Sequence, residues 1–436
     1  MSDRKQAVVI KGSKSEYLNI KAGVPQGSVL GPILFLIYIN DIQYGIQSKI
    51  KLFADDTSIY LSLNDDNVRS QILNYDLEQI SLWAKAWKVN FNCQKTELLN
   101  INRRNVALGP PLSFDSSLLI SNPFHKHLGL IIQGDCKWNL HINSLIARCS
   151  ILVACLKSYK YRLSRKSLEV MYKSFVIPHF DYADVIWDNC TQKESEHLEN
   201  LQLDALRTIC GTVRGTSHEK IYKETGFITL KERRKRNKLL LYFKFVNNML
   251  PDHINMKFPK LVSDINPLHR RRPLERVLSP SNTELYRKTY FPSATFLWNS
   301  LDDNLKTLNS ISAFKRQLSR QDYIVPPYYY TGVRDQQIIH CRLRLKMSDL
   351  KYDLFNRHLS DSIECACGDR KEDAKHYLLK CKNYSIARGT TINTLPPTLQ
   401  SIETLLFGKI NVSLVVNHYI FSIVQEFICL SCRFEP

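Results

Sequence analysis

Two adjacent carboxylates, Asp55 and Asp56, stand between the run Ile50, Lys51, Leu52, Phe53, Ala54 and an alternating stretch with Thr57, Ile59, Leu61 and Leu63. That pattern reads as a strand, a tight turn and a second strand, apolar at its base and acidic at its tip. A plain polar turn is one reading, because aspartate is common in turns. The chemical reading is a pair of Mg²⁺ ligands: hard cations take carboxylate oxygens, and nucleotidyl transfer uses two such ions to clamp the attacking and leaving oxygens. A second set lies far downstream. Cys365, Cys367, His376 and Cys381 offer a Cys₂HisCys group, and four such ligands suit tetrahedral Zn²⁺. The Cys-x-Cys step is tighter than the usual Cys-x-x-Cys, and reduced thiols in a small core are the other reading. Cys429 and Cys432 have no evident partners in the sequence.

Several elements must position these groups. Gly23-Val24-Pro25-Gln26-Gly27-Ser28 runs into the apolar Val29, Leu30, Ile33, Leu34, Phe35 and Ile37. A Gly/Pro loop of this kind exposes backbone N–H groups at a helix start and lets nucleic acid approach closely. Gly23, Pro25, Gln26 and Gly27 are therefore candidate binding residues, although an ordinary turn would read alike. Leu73, Leu77, Ile80, Ala84 and Trp87 recur at helical spacing, as do Leu198, Leu201, Ala205, Leu206 and Ile209. In the tail, Gly368 can turn the chain and a short helix from Lys375 to Lys380 would carry His376.

The order Gly-Val-Pro-Gln-Gly-Ser-Val-Leu-Gly-Pro, then Phe53-Ala54-Asp55-Asp56, resembles the palm of reverse transcriptases of non-LTR (LINE, jockey-like) retrotransposons. The resemblance continues through Trp83 to Thr96. It implies that Asp55 and Asp56 bind catalytic Mg²⁺ and that Lys95 lies near the triphosphate as a proton donor to pyrophosphate. It also implies that His127-Leu128-Gly129, with Trp138, His141 and Ile142, grips the primer end, which makes Leu128 and Gly129 binding candidates. Tyr172 to Pro178, Tyr182 and Trp187 look like the thumb side, and Phe291 to Leu301 resembles the family's later region. Arg342, Leu345 and Cys367-Gly368 resemble its zinc-knuckle-like tail. In the family an earlier palm strand supplies the first metal-binding aspartate. Here 22 residues precede the Gly-Val-Pro-Gln-Gly loop, and their sole aspartate, Asp3, lacks an apolar strand context. The expectation is a truncated chain that does not polymerise alone, with a further upstream polymerase segment as partner. The alternative is a non-enzymatic nucleic-acid-binding remnant with a structural zinc site.

Sixty Lys+Arg against 41 Asp+Glu give a net charge of +19 over 436 residues, which favours polyanionic partners, RNA and DNA. Two clusters concentrate that charge: 231–238, with Arg233, Arg234 and Arg236, and Arg270-Arg271-Arg272. Each is a solvated face, a localisation signal or a set of template-phosphate contacts, and a polymerase-like palm in front favours the last. Residues 1–20 lack a signal-peptide core. The run Val29 to Ile39 is too short to span a bilayer, and Val412 to Leu430 is broken by Asn417, His418, Gln425 and Glu426. An intracellular protein, nuclear or cytoplasmic, with no membrane partner and reduced cysteines is expected. The expected fold is α+β: a partial palm over 1–150, a helical thumb over 151–250, a basic connection over 251–335, and a Cys/His-containing domain over 336–436.

Overall fold

The computed structural model describes residues 4–434 apart from 21, 22, 25, 26, 64, 103–109, 252, 253, 255–257, 266–273 and 321. The fold is α+β, with two compact units, Met1–Lys137 and Trp138–Pro436. The expected boundary at 150 moves to 137. It would have cut the Asn139–Ser158 helix, which packs on the Gln192–Cys210 helix. The three later segments fall in one unit rather than three.

In the first unit, a 22-residue helix, Asp66–Trp87, is the spine. Asp65 starts it, its carboxylate accepting from the N–H groups of Asn67 and Val68, which satisfies two donors that a helix start leaves open. Leu77, Ile80 and Ala84 are buried. Leu77 and Ile80 pack with Ile39, Ile42 and Phe114, and Ile50, Leu52 and Ile59 close over this core. Those last three belong to the antiparallel hairpin Lys49–Phe53 and Asp56–Tyr60, registered Ile50↔Ile59 and Phe53↔Asp56. Alternation sends Ile50 and Leu52 inward and leaves Lys49, Lys51 and Phe53 exposed. Asp76, fully buried on the spine, accepts from the N–H groups of Gln47 and Ser48 at 2.8 Å each and so fixes the start of the hairpin.

The second unit is helical. A capping box opens the Gln192–Cys210 helix, with Thr191 and Glu194 bonding reciprocally. Leu198, Ala205, Leu206 and Ile209 are fully buried along it. It ends at Gly211, whose φ of 76° suits glycine and where a Cβ would lie 2.2 Å from Ile338. The Arg334–Leu345 helix can therefore come close only at a glycine. Further on, Leu414–Leu430 is the central helix of a core with Phe421, Val424, Phe427, Tyr328, Tyr377 and Leu378. Its buried Asn417 exchanges hydrogen bonds with the backbone of Lys409, and Gln425 donates to the carbonyl of Thr331. Among the described residues one helix, Asn139–Ser158, is long and apolar enough to cross a membrane by length and composition. Its residues Ile142, Leu145, Cys149, Val153 and Leu156 are buried within the unit.

Candidate metal and nucleic-acid sites

Asp55 and Asp56 stand at the tip of the first hairpin, both exposed. The connection between Phe53 and Asp56 has two residues, and Ala54 takes a φ of 50°, a conformation that hairpin turns ask of their first central residue and usually give to glycine. An alanine there costs on the order of 1–2 kcal/mol, and such strain concentrates at functional sites. The two carboxylates are neighbours on an edge anchored by the core, as metal ligands need. Among the described residues they join no group of three or more metal-ligating side chains. Of the glycine-rich loop, Gly23 and Gly27 are described and Pro25 and Gln26 lie outside the described residues. The carbonyl of Gly23 accepts from the Arg4 guanidinium, and the Ser28 hydroxyl accepts from the N–H of Gly31 at 3.1 Å as the Leu30–Ile39 helix begins.

Lys95 is exposed, at the end of a short turn that Asn92 holds by accepting from the N–H groups of Gln94 and Lys95. It lines a cavity of about 350 Å³ with Glu97, Asn122, Phe124, His125 and Lys126, where His125 pairs with Glu97. Leu128 and Gly129 form the two-residue turn of the hairpin Phe124–His127 and Leu130–Gln133, with φ values of 45° and 86°. Positive φ at both central positions is the type I′ geometry that matches strand twist. A leucine in that position is strained, so both candidate tips of this unit carry a side-chain cost that a glycine would remove. Trp138 and His141 belong to the second unit, where the Trp138 indole N–H donates to Asn189 at 2.6 Å.

The arginines of 231–238 lie on the Leu230–Val246 helix, and Arg233, Arg234 and Arg236 each pair with a carboxylate. Arg233 grips Asp181 with two nitrogens, and Arg236 grips Asp322 with two at 2.6 Å each. Arg234 is 3% exposed, bonded to Asp188 and Ser195 at 2.7 Å and lying over the Trp187 ring. Lys238 is buried and shares Asp188 at 2.7 Å. Beside them Asn237 donates to Asp184, whose carboxyl burial pushes up to about 6. These cations are committed to carboxylates distant in sequence, which a reading of one segment cannot see. Arg270, Arg271 and Arg272 lie outside the described residues. Replacing Arg234 by alanine strands part of the Asp188 charge and removes ring contact. Urea unfolding should show a loss of roughly 2–3 kcal/mol, somewhat below the cost of breaking a fully buried pair. The salt dependence of nucleic-acid binding should not change. Unaltered stability with a flatter salt slope would return Arg234 to phosphate binding.

Cys365, Cys367, His376 and Cys381 do come together, with all four ligand atoms within 4.8 Å of one another. The pair distances are 3.7 Å for the Cys365 and Cys381 sulfurs and 3.3 Å from the Cys367 sulfur to His376 Nε2. A tetrahedron with Zn–S bonds of about 2.3 Å sets sulfurs about 3.8 Å apart, so the donors fit zinc in kind and in spacing. Local structure explains the fit. The N–H of Gly368 closes a turn on the Cys365 carbonyl at 2.9 Å. Asp373 caps the Ala374–Leu379 helix by accepting from the His376 N–H at 2.8 Å, and the Cys381 N–H returns to the His376 carbonyl at 2.8 Å. Burial pushes the Cys365 thiol up to about 12. Asp369, which the sequence reading missed, puts a carboxylate oxygen 3.2 Å from His376 Nδ1. The contact lacks hydrogen-bond geometry, so Asp369 offers the ring a nearby negative charge rather than a bond that fixes its tautomer. The cluster is not a free-standing knuckle, since Tyr377 and Leu378 are fully buried in the core around the Leu414–Leu430 helix.

Residues 3–132 match the family model described as reverse transcriptase (RNA-dependent DNA polymerase). Among curated relatives, the probable RNA-directed DNA polymerase from transposon X-element of Drosophila melanogaster is 26% identical over 296 residues, 62% of this chain and 32% of that protein. The RNA-directed DNA polymerase from mobile element jockey of Drosophila funebris is 29% identical over 224 residues, 48% of this chain and 24% of that protein. The retrovirus-related Pol polyprotein from type-1 retrotransposable element R1 2 of Nasonia vitripennis is 21% identical over 385 residues, 84% of this chain and 86% of that protein. The chain thus spans 32% of the length of the X-element polymerase and 24% of the jockey one.

Proposed function

We infer, from a reverse-transcriptase domain similar to non-LTR retrotransposon RNA-directed DNA polymerases, a part of such a polymerase that holds nucleic acid and contributes Asp55 and Asp56 to its metal site. The observation that carries this reading is the hairpin tip, where Asp55 and Asp56 sit side by side and exposed on an edge anchored by the core. The two would hold Mg²⁺, whose charge would stabilise the phosphoryl oxygens in nucleotidyl transfer. Mg²⁺ takes about six oxygen ligands, so further carboxylate, water and phosphate oxygens would complete the site. Lys95, exposed and lining a cavity with Lys126 and the His125–Glu97 pair, would then serve as proton donor to the leaving pyrophosphate. The Leu128-Gly129 turn would support the primer end, and RNA and DNA are the substrates. Primer extension on an RNA template, with Asp55→Ala/Asp56→Ala as control, tests this reading.

The Cys₂HisCys cluster supports a structural Zn²⁺. Four protein ligands fill the shell and leave no position for an activated water. Its well-formed geometry, built for structure rather than reaction, also favours a second reading, a nucleic-acid-binding protein that does no chemistry. The two readings part on whether a supplied carboxylate segment restores extension. An intracellular site of action, without a membrane partner, belongs to the same proposal.

A further inference from the structure

We propose that the turn between the Asn139–Ser158 and Arg165–Met171 helices is a docking surface for single-stranded nucleic acid, with Tyr159 and Tyr161 as stacking rings and Lys160, Arg162 and Lys166 as phosphate contacts. It rests on the reading that this chain handles nucleic acid, but on residues that reading does not use.

No acidic residue occurs from Cys136 to Leu168, although residues 157–166 alone hold Lys157, Lys160, Arg162, Arg165 and Lys166. Two of these cations are taken: Lys157 pairs with Asp204 at 2.9 Å, and Arg165 turns inward to Glu224 at 2.7 Å. Among the described residues Lys160, Arg162 and Lys166 have no carboxylate partner, the reverse of Arg233, Arg234 and Arg236. Tyr161 is 60% exposed and Tyr159 39% exposed, with the Lys160 ammonium 5.0 Å from the Tyr161 ring centroid. Rings alternate with cations along the turn, as bases alternate with phosphates along a strand.

The turn is also held in shape. The Tyr159 carbonyl accepts from the N–H groups of Arg162 and Leu163 at 3.0 and 3.1 Å, and Ser164 caps the next helix. Beneath it, the buried Arg334 donates to the carbonyl of Lys160 at 2.7 Å and to those of Thr208 and Ile209 at 2.8 Å. A platform fixed before binding loses little entropy on binding. Duplex nucleic acid keeps its base faces stacked on one another, so exposed rings beside cations favour a single strand.

The test is fluorescence anisotropy of labelled oligo(dT) and oligo(rU), each of about twenty nucleotides, with the full chain over a range of salt. Tyr159→Ala/Tyr161→Ala is expected to weaken binding by about tenfold to a hundredfold, whereas Tyr159→Phe/Tyr161→Phe binds as the parent does. Lys160→Gln/Arg162→Gln/Lys166→Gln is expected to reduce the logarithmic salt slope by about 2, at roughly 0.7 per contact. Equal thermal melting of the variants separates binding from folding. If the parent binds and both the alanine and the glutamine variants match it, the surface is wrong while the nucleic-acid reading stands. If only the glutamine variant weakens, the turn recognises charge alone and the stacking surface is overturned. A parent chain that binds neither oligonucleotide at low salt overturns both.

Discussion

The parent chain is expected to take up one equivalent of zinc, and a Cys381→Ser chain to take up none and to lose the cooperative melting of the core around the Leu414–Leu430 helix. Cys381 is fully buried, and its sulfur sits 3.7 Å from that of Cys365. A serine hydroxyl there replaces a thiolate that the metal would hold. Structural Zn²⁺ contributes on the order of 10–16 kcal/mol in small domains at neutral pH. This domain has apolar burial of its own, so part of its fold should survive. The loss should reach the core because Tyr377 and Leu378 flank the cluster on the Ala374–Leu379 helix and pack with Phe427 and Val424. Metal analysis, chelator-dependent melting and the visible spectrum of the Co²⁺-substituted parent measure this together. Asp369→Ala should keep the metal but weaken its binding by up to about 10-fold, the low end for a carboxylate behind a histidine ligand, since Asp369 lies 3.2 Å from Nδ1 without hydrogen-bond geometry. A parent chain that takes up no zinc, or a Cys381→Ser chain that melts like the parent with and without chelator, would return the cysteines to a reduced core.

Glu224→Gln is the second large effect. This carboxylate is 5% exposed and bridges Arg165 and Arg344, each at 2.7 Å, with Glu169 and Tyr330 completing the group. Burial alone would raise its pKa, but Arg344 and Arg165 hold it down to about 2 from an ordinary 4.5. A folded pKa below the unfolded one means stability that is fully present above about pH 4.5 and lost as pH falls toward 2. Each tenfold gain in acidity on folding is worth about 1.4 kcal/mol, so the contribution is on the order of 3 kcal/mol at neutral pH. Removing the charge also leaves two buried guanidinium groups with only Glu169 to offset them, so a loss of about 3–5 kcal/mol is expected at pH 7. Urea unfolding of both chains at pH 7 and near pH 2.5 checks the sign, because the gap between them should narrow in acid. A gap that is small at pH 7, or that widens in acid, would contradict the assignment. The effect matters beyond stability, since Glu224 lies on the His218–Thr225 helix and Arg344 on the Arg334–Leu345 helix. The bridge binds the middle of the chain to its Cys/His-containing end.

Sequence made the hairpin tip and the metal cluster legible because both are local. Asp55 and Asp56 are flanked by alternating strands, and Cys365 to Cys381 spans one turn and one short helix. The Asp66–Trp87 and Gln192–Cys210 helices were equally readable from their apolar spacing, though Trp87 at the end of the first stays 43% exposed, stacked on Trp83 and edge-on to Tyr38. Charge pairing was not legible in the same way. Arg233, Arg234 and Arg236 looked like a solvated or phosphate-binding run, but their partners Asp181, Asp188 and Asp322 come from other segments. A charge run reveals its sign, and only the fold reveals which cations are already neutralised. The same limit hid the Tyr159–Lys166 turn, which is a weaker cluster by composition but keeps Lys160, Arg162 and Lys166 without carboxylates among the described residues. The single late unit was hidden too, because the Gly211–Ile338 approach and the Glu224 bridge join residues more than a hundred positions apart.

Primer extension by the purified chain on an RNA template in Mg²⁺ bears most directly on the proposed role of the Asp55–Asp56 hairpin tip. Asp55 and Asp56 alone supply too few oxygens for two ions. The expected result is extension no faster than that of Asp55→Ala/Asp56→Ala, under conditions where anisotropy shows the primer–template bound to both chains. Mg²⁺-dependent extension by the chain alone, abolished by the double substitution, would contradict it and show that the hairpin tip finds its remaining ligands within this chain.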